Sequence, residues 1–250
     1  MHDLALRVLS DSSLVLLAPV LVVQGTWVRR ITPRLPPAGG PQEGTIGGGA
    51  RPIHLLLVGE SPAMGVGVSD HTAGLVGQTA HALAGAAGRA VSWRVMGRSG
   101  ASARNLLDEF IAPAAPTDAD VVVIVLGVND TIRLSSPAQW IGALEALLES
   151  LRRSAHALPV VLAAVPPLQY FPAIPWPLRQ VLGLRSKLLD RAAVEWARAR
   201  RAVVHVPHPR ALLADVSEAF CPDGFHPSAV GYHHWGAALA SAAATLLQGT

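Results

Sequence analysis

The stretch Val121-Val122-Val123-Ile124-Val125-Leu126-Gly127-Val128-Asn129-Asp130 decides the fold: six consecutive aliphatic residues, stopped by a glycine and followed by polar side chains. A run of this kind, with no polar alternation, reads as a strand buried on both faces, as in a parallel sheet covered by helices. The same pattern recurs at residues 53–58, which end on Gly59, and at 91–95, 160–165 and 203–206. Residues 72–89, 101–111, 137–157, 178–200 and 227–247 carry helical spacing between the strands. In the third of these, Trp140, Leu144, Leu147, Leu148 and Leu151 make the apolar stripe; Pro227 suits the first turn of the last. Right-handed crossovers then predict an α/β fold, a three-layer α/β/α sandwich on a parallel sheet of about five strands.

The 250 residues can build one such domain with a large core, plus an extension. Half the residues are hydrophobic and only 15% are charged, which excludes a disordered chain. The formal net charge is +3, but the basic residues are arginines scattered singly or in pairs, with Lys187 the one lysine. No basic run interleaves with aromatics, so no nucleic-acid partner is expected. Cys221 is the sole cysteine, which rules out an intrachain disulfide and a cysteine-based metal site. Its place near Asp223 puts it beside the candidate site, where it reads as a small buried hydrophobe.

Residues 1–30 read as an apolar N-terminal helical extension, with a continuous apolar run at 14–23 broken by Pro19. That run is half the ~20 residues a spanning helix needs. Asp3 and Asp11 precede it, Arg29 and Arg30 follow it, and no small-x-small cleavage site is evident, so a cleaved secretion signal is the weaker reading. A helix at the membrane interface, with Trp27, Arg29 and Arg30 at headgroup level, and a helix packed on the protein's own surface both stay open. The expected location is cytoplasmic, with or without peripheral membrane contact through residues 1–30. Residues 31–52, rich in proline and glycine, read as a linker without regular structure, and residues 53–250 as the α/β domain.

Four segments lie just beyond predicted strands: Gly59-Glu60-Ser61, Ser99-Gly100, Gly127-Val128-Asn129-Asp130 and Asp223-Gly224-Phe225-His226. Residues at the carboxyl ends of parallel strands converge on one crevice. There Ser61 offers a nucleophile at the amino end of the next helix, and Asp223 and His226, three apart, offer a carboxylate-oriented base. The Gly100 backbone amide and the Asn129 side chain offer hydrogen bonds to an oxyanion. Ser99 lacks the glycine two places on that a nucleophile elbow requires. His205, His208, His233 and His234 show no metal-binding spacing and read as surface or core residues. Residues 166–177, proline-rich and on the same rim, offer Tyr170, Phe171, Ile174 and Trp176 to line a substrate pocket.

Taken together, these segments resemble the SGNH hydrolases, the superfamily of the GDSL esterases and lipases, over about residues 53–246. The marker residues of that family fall on Ser61, Gly100, Asn129 and His226, with Asp223 as triad acid. The resemblance implies a flavodoxin-like sheet and hydrolysis of short-chain or hydrophobic carboxylic esters through an acyl-enzyme, with no metal or cofactor required. It also implies an oxyanion hole built from the Ser61 and Gly100 amides and the Asn129 side chain. The signature Gly-Asp-Ser is Gly-Glu-Ser here; Glu60 is adjacent to the nucleophile and is expected to be tolerated. A small-molecule or lipid-like ester is thus the expected partner, and the oligomeric state is not legible. Two alternatives are a carbohydrate O-deacetylase of the same fold and a non-catalytic, membrane-associated binding module; the intact Ser61, Asp223 and His226 weigh against the second.

Overall fold

The aliphatic runs become the strands of one sheet. The structure is a computed structural model that describes residues 2–111, 118–153, 157–214 and 216–249. Strands β1 (Glu43–Ile46), β2 (Ile53–Gly59), β3 (Val91–Gly97), β4 (Val121–Val125), β5 (Val160–Ala163) and β6 (Val203–Val206) lie in the order β1-β3-β2-β4-β5-β6. All pairings are parallel except that of β1 with β3. The chain steps from β2 outward to β3 and then returns to the other side of β2 for β4. Strand order therefore reverses at β2, and the crevice between the carboxyl ends of β2 and β4 is where such sheets bind ligands.

The sheet is mostly parallel, as expected, but it has six strands. The sixth, β1, falls inside residues 31–52, where no regular structure was expected. The unpaired edge of β3 supplies the hydrogen bonds, and Gly44 fits because the indole of Trp93 lies directly against it, where a Cβ would come within 2.6 Å.

Alternation across the strands sorts the core into two layers. Leu55, Leu57, Val121, Val123 and Val161 face α2 (Leu75–Ala87) and α9 (Ala229–Gln248). Leu56, Val58, Val122, Ile124 and Leu162 face α3 (Ala103–Leu106), α5 (Pro137–Leu151) and α6 (Leu178–Arg198). The stripe expected on α5 is buried in full, and a Ser136–Gln139 capping box with Pro137 in the first turn fixes its start. The helix expected over 137–157 ends at Leu151; residues 154–156 lie outside the described residues. Pro227 stands just before α9 rather than in its first turn, because Ser228 takes the cap and accepts from the Gly231 N–H at 3.1 Å. Short helices α4 (Val128–Ile132), α7 (Ala211–Ala214) and α8 (Val216–Ala219) sit at the rim.

Residues His2–Ile31 form one long helix, α1, through Pro19. Its Leu21 is buried in a third apolar cluster with Phe171, Ile174, Leu178, Val181 and Leu182, and α1 packs against α6. Leu144 is fully buried between α5 and the sheet. Leu144→Ala is expected to lower unfolding free energy by about 2–5 kcal/mol in urea titrations; a loss below about 1 kcal/mol would contradict this packing.

Candidate active site

Ser61 opens a run of tight turns over residues 61–67, and α2 begins only at Leu75. Its hydroxyl therefore gains nothing from the dipole of α2, contrary to expectation. The turn is instead held from α9: the Tyr232 hydroxyl, fully buried, donates to the Val66 carbonyl at 2.6 Å.

The Asp223–His226 loop closes against that turn. Cys221 N–H donates to the His226 carbonyl at 2.8 Å, and the Cys221 thiol reaches the Gly67 carbonyl at 3.4 Å. Gly67 leaves no room for a side chain, since a Cβ would come within 2.6 Å of the Cys221 sulfur. Burial raises the pKa of this thiol, with the Asp223 carboxylate adding to the effect, so Cys221 is a protonated packing group.

Asp223 and His226 meet as the three-residue spacing suggested. Oδ2 of Asp223 lies 2.6 Å from Nδ1 of His226, and Oδ1 accepts from the N–H groups of Phe225 and His226 at 2.9 and 3.0 Å. Burial alone would raise the Asp223 pKa, but the hydrogen bond from the His226 ring and those from the two backbone groups outweigh it and hold the carboxylate ionised. An ionised acceptor at Nδ1 fixes the imidazole with its Nε2 free to take a proton. Ser61 and His226 line one narrow cavity of about 30 Å³, closed by Pro166, Phe171, Phe220, Phe225, His208 and Trp235. Among the described residues no hydrogen bond joins the Ser61 hydroxyl to the His226 ring, a separation common before substrate binds.

Neither Gly100 nor Asn129 lines this cavity, although both follow strands next to β2. Among the described residues, the N–H groups of Ser61 and Gly100 have no protein acceptor. Gly100 has φ +79°, which a side chain would strain, and its carbonyl accepts from Arg133 at 3.1 Å. Arg133 caps α4, the helix that carries Asn129, and Asp130 of the same helix accepts the Ala103 N–H at 3.1 Å. The Gly100 loop is thus tied to the Asn129 helix at two points.

Glu60 ties Ser61 to the same helix, a part not foreseen from sequence. Gly127, the α4 cap position, has no side chain to satisfy the first N–H groups of the helix. The Glu60 carboxylate does it from across the sheet, accepting from Val128 N–H at 2.9 Å and Asn129 N–H at 3.0 Å. It also accepts from the Asn129 side-chain amide. An ionised carboxylate can only accept, so this contact orients the Asn129 NH2, whose second hydrogen has no acceptor among the described residues. Burial pushes the Glu60 pKa up to about 7, against the Asn129 and Val128 hydrogen bonds that lower it.

The loop over residues 166–177 divides. Phe171 lines the cavity, in edge contact with Phe220 and Phe225 at 5.1 and 5.3 Å. Ile174 is buried behind it against the α1 cluster, whereas Tyr170 and Trp176 face outward, so three of the four expected pocket residues do not reach the cavity. His208, read as a surface or core residue, does reach it. It stands edge-on to Trp235 at 5.4 Å, and burial lowers its pKa to about 4, so it is a neutral wall of the site. His205 is a structural partner of Asp190 at 2.8 Å. Among the described residues no three His, Cys, Asp or Glu side chains cluster to hold a metal ion. A larger hollow of about 460 Å³ at the opposite end of the sheet brings His54 near Ser92, but no hydrogen bond links them.

A serine at the switch point of a parallel sheet, an Asp-oriented histidine and unpaired amides are the equipment of an α/β ester hydrolase. A model of the GDSL-like Lipase/Acylhydrolase family matches residues 57–234, and the chain belongs to that family. It is a serine-type hydrolase of carboxylic esters. The fold is similar to a carbohydrate esterase family 3 structure from Talaromyces cellulolyticus (18% identity, 79% of this chain and 99% of that one, TM-score 0.59). It is also similar to a lipase/acylhydrolase from Enterococcus faecalis (22%, 76% and 94%, 0.59) and to the lipase Lip_vut3 from a goat rumen metagenome (19%, 76% and 97%, 0.58). No curated protein matches the sequence.

Glu60 gives a signed pH prediction. Its folded pKa lies above the unfolded 4.5, so the folded state binds the extra proton, and stability falls as pH rises from about 4.5 to about 7. Glu60→Gln is expected to remove that decline in urea titrations and, above pH 7 where Glu60 is ionised, to lower kcat about tenfold or more, because Asn129 loses its anionic acceptor. An unchanged kcat would show that Asn129 needs no such support.

Proposed function

We propose that this hydrolase removes short acyl groups through an acyl-enzyme on Ser61. The observation that carries the reading is the Asp223–His226 pair, 2.6 Å apart, facing the same cavity as the serine. Ser61 Oγ attacks the acyl carbonyl as His226 Nε2 takes its proton, and ionised Asp223 stabilises the imidazolium. The Ser61 and Gly100 amides and the free N–H of Asn129 receive the oxyanion. His226 then passes the proton to the departing alcohol, and water repeats the sequence to release the acid.

The cavity beside Ser61 supports the acyl preference. It is small, about 30 Å³, and Phe171, Phe220 and Phe225 crowd it, which favours a short acyl group over a long chain. The same size supports a second reading, an O-deacetylase acting on an acetylated sugar.

Rates on p-nitrophenyl acetate through palmitate test both assignments. Ser61→Ala is expected to lower kcat/KM on the acetate by about 10³-fold or more, and the wild type to favour acetate over palmitate by about tenfold or more. Full activity in Ser61→Ala would remove the nucleophile assignment. A preference for palmitate would remove the short-acyl one.

A further inference from the structure

α1 has two faces of different fate. Ser10, Leu14, Leu17, Leu21, Gln24 and Val28, at alternating steps of four and three, form a stripe turned toward the domain. Directional bonds pin that stripe. Gln24 donates to the Trp176 carbonyl at 2.8 Å and accepts from the Leu178 N–H at 3.1 Å, while Asp11 pairs with the nearly buried Arg185 at 3.2 Å. The other face is apolar and open: Val15 is 76% exposed, Leu16 78%, Val22 67% and Val23 69%.

We propose that this outer face of α1 seats the enzyme on an anionic lipid bilayer, the helix lying in the plane of the interface, so that its ester is drawn from the membrane surface. The substrate then combines a short acyl group with a lipid-borne alcohol, a statement that rests on the esterase reading above. Three observations carry the docking. First, the most apolar 18-residue window within Ala5–Ile31 has a mean hydropathy of 1.9 and is only 11% buried, an exposed apolar face of the kind that marks an interaction surface. Its length would allow crossing, but a helix fastened to a polar domain from Ser10 to Val28 cannot pass through hydrocarbon beside it.

Second, the charges suit anionic headgroups. Arg7 lies near one end, Arg29, Arg30 and Arg34 lie at the other, and all four are exposed. Among the described side chains of the helix the one acid, Asp11, is matched by Arg185. Half-exposed Trp27 and the exposed Trp176, whose carbonyl Gln24 holds, supply the aromatic anchors typical of such an interface. Third, the docking face and the cavity share one loop. Trp176 stands at its outer end, and Phe171, five residues earlier, lines the cavity while packing in the cluster that contains Leu21 of α1.

The test is flotation of the full chain with mixed phosphatidylcholine–phosphatidylglycerol vesicles carrying hexadecyl acetate. Wild type is expected to float, to be released by an alkaline carbonate wash, and to hydrolyse the embedded ester. Val15→Glu with Val22→Glu is expected to stay at the bottom and to lose about tenfold or more of that hydrolysis, while keeping its rate on soluble p-nitrophenyl acetate, which also reports correct folding. The milder pair Leu16→Ser with Val23→Ser is expected to fall between. A wild type that does not float, or that sediments as a dimer covering this face with a second copy, overturns the proposal; so does one that resists the carbonate wash, as a spanning helix would. Absence of p-nitrophenyl acetate hydrolysis would instead remove the esterase reading, and flotation would still decide the docking.

Discussion

A single buried carboxylate joins the two halves of the site. Glu60 leaves the end of β2 and satisfies the first amides of α4, which leaves the end of β4. These strands are neighbours, and a carboxylate from one is well placed to cap a helix that begins on the other. Without it, Val128 and Asn129 would present buried N–H groups with no acceptor, at a cost of about 1–3 kcal/mol each. With it, the serine next to Glu60 and the amide of Asn129 share one rigid support. The elevated pKa of Glu60 records the strain of burying a charge; the three N–H donors keep the group serviceable as an acceptor.

The remaining parts are attached to this support by similar short links. Asp130 and Arg133 hold the Gly100 loop to α4, and Tyr232 holds the Ser61 turn to α9. The triad loop closes on the same turn through Cys221 and the space left by Gly67. Apart from the exposed Arg133–Gly100 bond, these hydrogen bonds are buried or half-buried, so each specifies geometry more than it adds stability. The sheet supplies the stability through its two apolar layers.

The sheet was legible because buried parallel strands are written as aliphatic runs, and those runs need no partner to be recognised. Strand β1 was not, because Glu-Gly-Thr-Ile is unremarkable until the free edge of β3 is known to lie beside it. The triad acid and base were legible because they are local, three residues apart on one loop. Gly100 and Asn129 were proposed through family resemblance and strand placement, and the hydrogen bonds of Arg133 and Asp130 tie the loop of the one to the helix of the other. Glu60's role was not, since its partners are 68 and 69 residues away. The place of His208 in the cavity wall was not legible for the same reason: a lone histidine shows its surroundings only in the fold. Proline-rich residues 166–177 announced a shaped loop, but which aromatic turned inward depended on α1 filling the space behind it.

The claim at the centre of this account is that Ser61, Gly100 and a Glu60-oriented Asn129 receive one oxyanion. A crystal structure of the enzyme inactivated by a small methyl fluorophosphonate tests it most directly. The account predicts phosphorus bonded to Ser61 Oγ, with one phosphonyl oxygen within about 3 Å of the Ser61 and Gly100 amides and the Asn129 side chain. Phosphorus on another serine, or an oxygen turned away from Asn129 while Glu60 still holds it, would contradict the account.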